Sequence, residues 1–309
     1  DCGFGVFSGP IAAGGSVRLI NIEGGAAAFP RKKIDKLGDF AKTYHAKGLA
    51  WTRLHEGNVT SSFAKNLTEE EKVEFGKFRD RFFALCQRAY DNDVRILVDA
   101  EDYCFQDALD ELTDEAMRLY NKKRAIVFAT LQMYRHDRMP YLERIYKDAA
   151  EKGYIAGVKF VRGAYMEAER ERAAKMGYPD PICKDKPTTD ANYDAAVQYP
   201  IEHIDQFEMF MGTHNEESNY KLARLMDEKG LERNDPRIYF AQLLGMSDNI
   251  SFNLAAAGYN VTKYVPYASV RDVIPYLIRR AEENTSVAGQ TGRELTMIKA
   301  EIARRKRDN

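Results

Sequence analysis

The stretch "GVKFVRGAY" (157–165) joins a short apolar run to a group of polar and aromatic residues. Five other stretches have the same pattern, an apolar run followed by polar or aromatic residues: "VRILVDAE" (94–101), "AIVFATLQ" (125–132), "FEMFMGTHN" (207–215), "RIYFAQLLG" (237–245) and "TKYVPYA" (262–268). Short runs that are almost continuously apolar are typical of strands covered on both faces of a sheet. The sequence therefore predicts six buried strands.

Helical periodicity fills the gaps between these runs. "EEEKVEFGKFRDRFFALCQRAY" (69–90) repeats apolar residues every three to four positions, and Thr68 stands three residues before Glu71, as in a capping box. "SNYKLARLMDEKG" (218–230) ends at a glycine, where a helix C-terminus is expected. A strand followed by a helix, repeated along the chain, predicts parallel βα units.

The positions of polar residues distinguish a closed barrel from an open sheet. Polar or aromatic groups follow every predicted strand, in "VDAE", "LQMYR", "VRGAY", "GTHN", "QLLGM" and "YVPYA". A barrel builds its site from all of its strand ends, whereas an open sheet concentrates its site at one switch point. No GxGxxG follows the first strand and no GxxxxGK[ST] occurs. The predicted fold class is therefore α/β, with a (βα)8 TIM-type barrel.

Alternation along a strand identifies charged groups at the mouth of this barrel. It puts Lys159 and Val161 on one face, and Phe160 and Arg162 on the other. A lysine that faces the barrel interior needs an acceptor. The carboxylate of Asp99, at the end of its own strand, fits equally well as a partner for a helix N-terminus.

Composition and motifs limit the function classes. The 309 residues carry 46 basic and 47 acidic side chains, and this balance argues against a nucleic-acid partner. No apolar run reaches the roughly 18 residues that a spanning helix needs, and no signal-peptide pattern is present, so a cytoplasmic location is expected. The cysteines lack CxxC pairing and the histidines lack HxH or HExxH, so reduced thiols and no metal site are expected.

"PYLIRRAEEN" (275–284) carries two adjacent arginines in a predicted helix. Adjacent helical residues point about 100° apart, so Arg279 and Arg280 cannot both lie on one solvent-facing stripe. A pair of guanidinium groups near Tyr264 and Tyr276 is suited to holding a small carboxylate beside an apolar ring. A solvated arginine pair is the simpler alternative.

Seven motifs together resemble the proline dehydrogenases, which are flavoproteins with a (βα)8 barrel. They are "VDAE", "VKFVRGAYMEAER", "GYPDPI", "GTHN", "QLLGMSD", "AGYNVTKYVPY" and "PYLIRRAEEN", in order from about Leu67 to the C-terminus. The resemblance is to the single-function form and implies oxidation of L-proline to 1-pyrroline-5-carboxylate by FAD. It also implies a quinone acceptor and transient contact with a membrane surface, and it leaves the oligomeric state open.

The resemblance implies a role for each matching residue. The residues expected at the substrate and the reacting groups are Asp99, Lys159, Leu244, Tyr264, Tyr276, Arg279 and Arg280. The residues expected to contact FAD are Gln132, Lys159, Val161, Gly163, Tyr165, His214, Gln242 and Glu283. Hydroxyproline oxidases of the same family tend to have a small residue at the position of Tyr264, which favours proline here. A hydroxyproline oxidase and a non-catalytic flavin-binding or scaffold remnant are the alternatives.

The first 60 residues depart from the proline dehydrogenase pattern and resemble the small insertion domain of bacterial aspartyl-tRNA synthetases. We predict a small α+β segment over 1–60 and the barrel over 67–309. In one interpretation the segment is a separate domain and the barrel lacks its first strands. In the other, "GSVRLINI" (15–22), the helix at 31–46 and "GLAWTRL" (48–54) supply those strands, with Arg53 near the position of a family lysine.

Overall fold

The computed structural model describes residues 29, 33–34, 36–37, 40–41, 52–55, 58–61, 69–286 and 290–308. In this part of the chain the strands are β1 Thr52–His55, β2 Asn58–Ser61, β3 Ile96–Val98, β4 Val127–Gln132, β5 Ala156–Val161, β6 Phe207–Gly212, β7 Ile238–Leu243 and β8 Val261–Tyr264. Residues 33–34, 36–37 and 40–41, within the helix predicted at 31–46, are also helical. The helices with defined bounds are α1 Glu69–Asp91, α2 Tyr103–Tyr120, α3 Arg138–Lys152, α4 Met166–Met176, α5 Lys186–Glu202, α6 Glu216–Glu228, α7 Asp248–Ala256, α8 Val270–Ser286 and α9 Gln290–Asp308.

Six of the strands form one parallel sheet in the order β3-β4-β5-β6-β7-β8, which is also their order in the sequence. Each of these six strands is followed by at least one helix, so the predicted parallel βα units are confirmed. The inner strands β4 and β6 are buried along almost their whole length, whereas the edge strands β3 and β8 are partly exposed. The described residues thus form an open, six-stranded part of a barrel rather than a closed eight-stranded one.

Side-chain contacts between strands that are not neighbours show that the sheet curls. Phe128 of β4 contacts Phe210 of β6 with ring centroids 5.0 Å apart, although β5 lies between these strands in the sheet. Arg95, directly before β3, reaches β6 and β7 and donates to Glu208 Oε2 at 2.6 Å and to the Tyr239 hydroxyl at 2.8 Å. The concave face is therefore filled at the N-terminal ends of the strands.

Local sequence signals explain where several helices begin and end. The Asn215 side chain accepts a hydrogen bond from the Ser218 amide at the start of α6, and Asp185 caps α5 in the same way through Thr188. Gly230 follows α6 with φ 69°, as the sequence predicts, and Gly153 ends α3 with φ 65°. Because these caps are local, they are readable from the sequence.

The N-terminal strand β1 pairs with β2 in a separate antiparallel sheet. The part of "GLAWTRL" that the structure describes is therefore not a strand of the six-stranded parallel sheet, and the side chain of Arg53 lies outside the described residues. The stretch 15–22 also lies outside them. The chain divides into two compact units, Asp1–Arg88 with Glu167–Asp180, and Ala89–Met166 with Pro181–Asn309. The domain boundary between residues 60 and 67 stays a prediction, as does the resemblance to the synthetase insertion.

A buried carboxylate lies where α2 packs on α3. Asp114 is 4% exposed, accepts a hydrogen bond from the Tyr141 hydroxyl at 3.0 Å and forms an ion pair with Arg144 at 3.2 Å. Burial outweighs these favourable contacts and raises the pKa of Asp114 from 3.8 to about 6. The folded state therefore binds this proton more tightly than the unfolded state does.

Replacing Asp114 by asparagine is expected to change the pH dependence of stability. In the native protein the contribution of Asp114 is most favourable below about pH 4, and it is lost as the pH rises to about 6. A shift of this size corresponds to about 3 kcal/mol. In urea unfolding measured between pH 4 and pH 7, the free energy of unfolding of Asp114→Asn should increase relative to that of the native protein as the pH rises. A difference that does not vary with pH would show that burial does not control this carboxylate.

Candidate active site at the strand ends

Polar and aromatic side chains collect where the parallel strands end. Asp99 follows β3, Gln132 ends β4, His214 follows β6 and Tyr264 ends β8. The strands are parallel neighbours in one curled sheet, so all of these positions lie at the same end of it. This is the end at which (βα)8 barrels carry their sites.

The central contact of this group is an ion pair between β5 and the end of β3. The Lys159 ammonium donates a hydrogen bond to Asp99 Oδ1, although β4 lies between these strands. The lysine side chain is 12% exposed and the aspartate side chain is 46% exposed. Lys159 was expected to need a hydrogen-bond acceptor, and it has one. The acceptor is Asp99, which the sequence also placed at the end of a strand, at the mouth of the predicted barrel.

The segment after β3 is held by several hydrogen bonds. The Tyr165 hydroxyl donates to Glu101 Oε2 at 2.7 Å, and the amide of Glu101 donates to Gln106 Oε1 at 3.0 Å. Gln132 is 3% exposed and its Nε2 lies 3.5 Å from the carbonyl oxygen of Ala100, a long and weak contact. Asp99 therefore precedes a segment that is linked to the end of β4, to the loop after β5 and to helix α2.

Gly163 permits a close approach between the end of β5 and the loop after β4. Its φ is 119°, and a Cβ added to it would lie 2.5 Å from the Tyr134 ring. The amide of Tyr134 donates to the carbonyl oxygen of Arg162 at 2.8 Å, and the amide of Met133 donates to that of Val161 at 2.7 Å. Only glycine fits this position, because any side chain would displace an aromatic ring.

Gln242 lies on the other face of the sheet from the Lys159–Asp99 pair. It is 2% exposed, and its Nε2 donates to the carbonyl oxygen of Thr213 at 3.3 Å and to Asn219 Oδ1 at 3.4 Å. Its Oε1 accepts from the Ser251 hydroxyl at 3.0 Å. The side-chain amide of Gln242 is thus directed at helices α6 and α7. A direct contact between Gln242 and FAD stays a prediction, and it would require the side chain to give up some of these hydrogen bonds.

His214 is linked to the loop between β7 and α7. Its Nδ1 lies 3.0 Å from the Ser247 hydroxyl. Ser247 is 6% exposed and adopts the left-handed conformation, with φ 51° and ψ 43°. A left-handed serine is uncommon, and such conformations concentrate at functional sites.

An aromatic and apolar group lies beside the end of β8. The Tyr264 and Tyr276 rings are 5.8 Å apart with an angle of 36° between their planes. Leu244 is 57% exposed, and its amide donates to the carbonyl oxygen of Tyr264 at 3.0 Å. The structure therefore brings together the three residues predicted to form the apolar walls of the pocket.

The predicted carboxylate anchor falls in α8. Arg279, Arg280 and Glu283 are helical, but their side chains lie outside the described residues. Their roles remain predictions from the sequence.

Sequence reasoning missed several residues that organise this end of the sheet. Arg162 points away from Lys159, as the alternation predicts, and donates to Asp190 at 2.7 Å, to Thr213 Oγ1 at 2.8 Å and to Ser218 Oγ at 3.1 Å. The Asp190 pKa is lowered because its hydrogen bonds to Lys186 and Arg162 outweigh its burial. An arginine directly after an apolar strand was the signal, but its partners lie on two later helices and in the loop after β6, and the strand pattern does not identify them.

None of the helices in the described part of the chain is long and apolar enough to cross a membrane. The same residues contain no group of three or more His, Cys, Asp or Glu side chains that is arranged to hold a metal ion.

The curled parallel sheet and its polar strand ends define an α/β protein of the barrel type, with a candidate site at the carboxyl ends of the strands. Residues 26–293 match the family model for proline dehydrogenase. The chain belongs to the proline dehydrogenase family. The matched range begins inside the segment 1–60, which the sequence alone did not assign to this family.

Individual relatives agree with this assignment. The chain is 41% identical over 243 residues to "Proline dehydrogenase 1, mitochondrial" of Homo sapiens, covering 78% of this chain and 40% of that protein. It is 36% identical over 243 residues to "Hydroxyproline dehydrogenase" of Xenopus laevis, covering 77% of this chain and 52% of that protein. The chain thus spans about half, or less, of the length of these relatives.

A solved structure shows the same fold. The crystal structure of proline utilization A from Bdellovibrio bacteriovorus superposes with a TM-score of 0.65 at 23% identity, covering 71% of this chain and 22% of that chain. At this identity the likeness concerns the fold alone.

The predicted cytoplasmic location is wrong. The human relative and further animal relatives are named as mitochondrial proteins. The prediction used the absence of an apolar leader, and that absence carries no information on mitochondrial import, because transit peptides are amphipathic rather than apolar.

Proposed function

We propose that this chain carries out the flavin-dependent oxidation of L-proline to 1-pyrroline-5-carboxylate, with the electrons passed to a quinone. The observation that carries the proposal is the Lys159–Asp99 ion pair at the strand ends of a chain that belongs to the proline dehydrogenase family. The cation would stabilise the negative charge that a cofactor gains on reduction, and the carboxylate would accept a hydrogen bond from a substrate amine. The chain spans only part of its relatives, so their activity is extended to it as a proposal.

The described strand ends fit FAD chemically. Lys159 offers a cation near the end of β5. Three residues after Gln132, the buried Arg135 has an Nη1 atom without a hydrogen-bond acceptor among the residues that the structure describes. These features suit a large cofactor rich in acceptor atoms. We propose that FAD is held by Gln132, Lys159, Val161, Gly163, Tyr165, His214, Gln242 and Glu283.

Bound FAD would supply the hydride-accepting group for the proline carbon next to the ring nitrogen. The residues of the chain orient the substrate for this step. Arg279 and Arg280 bind the carboxylate of L-proline, and Asp99 accepts a hydrogen bond from its amine. Fixing both ends of a small rigid ring places the reacting carbon in one orientation, which is how positioning accelerates a reaction.

The apolar groups near β8 give the proposed site its shape. Tyr264, Tyr276 and Leu244 cover the proline ring and exclude water from it. Exclusion of water strengthens the interactions of the charged groups around the substrate.

The proposal includes the finer features that the family resemblance implies. These are a complete (βα)8 barrel, of which six strands are described, and transient contact with a membrane surface to reach the quinone. A sheet with two open edges leaves backbone hydrogen-bonding groups unpaired, which favours closure by further strands.

Oxidation of hydroxyproline is the second candidate. It is favoured by the similarity to the hydroxyproline dehydrogenase of Xenopus laevis. Tyr264 argues for proline, because hydroxyproline oxidases of the family tend to have a small residue at this position.

Anaerobic flavin spectra test both candidates. We expect protein supplied with FAD to remain yellow after unbound FAD is removed, and to bleach on addition of L-proline but not of D-proline. Faster bleaching by trans-4-hydroxyproline than by proline would favour the second candidate. A colourless protein, or a yellow one that neither substrate bleaches, would instead support a non-catalytic scaffold.

A further inference from the structure

Lys263 makes an unusual set of contacts for a lysine in an edge strand. Its Nζ donates to the carbonyl oxygen of Met246 at 2.7 Å, to Asp248 Oδ1 at 2.8 Å and to the carbonyl oxygen of Leu243 at 3.4 Å. Its side chain is only 20% exposed. Lysines in edge strands ordinarily extend into solvent and prevent edge-to-edge pairing. This one instead spans the loop from the end of β7 to the start of α7.

The loop that Lys263 spans has an unfavourable backbone conformation. Gly245 has φ 77° and Ser247 has φ 51°, so two of the residues between Leu243 and Asp248 lie in the left-handed region. Glycine adopts this conformation readily, but serine does not. A loop of this kind persists only when surrounding contacts hold it. The three acceptors of Lys263 lie before, between and after the two left-handed residues.

The same loop carries two side chains of the candidate site. The Ser247 hydroxyl lies 3.0 Å from His214 Nδ1, and this contact orients the imidazole ring. Leu244 is hydrogen-bonded through its amide to the carbonyl oxygen of Tyr264, the residue directly after Lys263. A change in the loop would therefore move both a predicted FAD contact and a predicted wall of the substrate pocket.

We propose that Lys263 is a positioning residue that holds the loop 243–248, and through it His214 and Leu244, in the arrangement that binds cofactor and substrate. The identity of the two ligands, FAD and L-proline, rests on the proposed function. The effect of Lys263 on the loop does not. Lys263 touches neither ligand in this role. Its charge matters because three acceptors, one of them a carboxylate, converge on a single ammonium group.

Hydrogen exchange measures the effect on the loop without any assumption about function. In Lys263→Met we expect the amides of Met246, Ile250 and Ser251 to exchange at least about tenfold faster than in the native protein, since loss of hydrogen bonds to a charged group has consequences of this size. Peptides from β4 and β5 should be unchanged. Unchanged exchange in the loop, or an equal increase throughout the sheet, would overturn the proposal.

Lys152→Met is the matched control. Lys152 also forms an ion pair, with Asp148 at 2.5 Å, but it lies at the C-terminal end of α3 and is 45% exposed. This variant loses the same functional group at a distant position and should leave the loop peptide unchanged. An equal effect of both substitutions on that peptide would contradict a specific role of Lys263.

Ligand binding tests the second half of the proposal. We expect Lys263→Met to raise both the Kd for FAD and the KM for L-proline by about tenfold, and Lys263→Arg to recover a large part of each loss. A residue with a merely structural role would lower the melting temperature and leave Kd and KM at their native values. That outcome, with native protein that binds FAD and oxidises proline, would overturn the proposal. Native protein that does neither would contradict the proposed function, and the exchange result would still decide the role of Lys263 in the loop.

Discussion

Replacing Arg280 by lysine is expected to raise the KM for L-proline by about 100-fold, if the adjacent arginines of α8 bind the substrate carboxylate as proposed. Guanidinium binds a carboxylate through two parallel hydrogen bonds, whereas an ammonium group offers a point charge on a flexible stem. Loss of one charge-assisted bond of about 2–3 kcal/mol corresponds to this factor. Steady-state rates with an artificial electron acceptor measure the change.

A second arginine of the same helix provides the control. Arg271 lies in the first turn of α8 and is exposed, so Arg271→Lys should leave the KM within about twofold of the native value. Bound FAD and the melting temperature should be similar in both variants, because lysine is a good helix former. An unchanged KM in Arg280→Lys would show that this arginine does not anchor the substrate.

Replacing Glu208 by glutamine is expected to lower the free energy of unfolding by about 3 kcal/mol. The Glu208 side chain is 8% exposed. Its carboxylate accepts one hydrogen bond from Arg95 at 2.6 Å and another from the amide of Ala125 at 3.0 Å. Glutamine removes the negative charge and leaves the Arg95 guanidinium, which is 17% exposed, without its ionic partner. Domains are stable by only about 5–15 kcal/mol, so urea unfolding should show a large shift in midpoint.

An exposed ion pair and a double-mutant cycle isolate this effect. Glu228 pairs with Arg224 at 3.6 Å with both side chains exposed, so Glu228→Gln should cost less than about 1 kcal/mol. In a cycle of Glu208→Gln and Arg95→Met, the double variant should be more stable than the sum of the single changes predicts. Strict additivity would show that the two groups do not stabilise one another.

Much of the fold was predictable because its signals are local. The run at 125–132 contains β4, Val127–Gln132, and the run at 207–215 contains β6, Phe207–Gly212. The closed barrel was predicted less well, because the described sheet has six strands and β1 pairs with β2 in a separate sheet. Polar strand ends favour a barrel over an open sheet, but they do not count its strands.

The sequence predicted which residues lie at the strand ends better than it predicted the face of the sheet on which each side chain lies. In "RIYFAQLLG", alternation separates Tyr239 and Ala241 from Phe240 and Gln242, yet it does not say which set faces the concave side. The structure directs Gln242 to helices α6 and α7, whereas the Tyr239 ring stacks on Phe210 inside the curl. Both faces of such a strand are apolar, so hydrophobicity cannot distinguish them.

The sequence by itself determined the order of strands and helices, several helix ends, and the strand-end position of the charged and aromatic residues. These properties depend on neighbours within a few positions along the chain. Only the tertiary structure decided that Lys159 meets Asp99, 60 residues away, and that Arg95 meets Glu208, 113 residues away. Such pairs form because the sheet curls and brings together strands that are not neighbours in it, and that curvature is a property of the whole assembly of strands and helices.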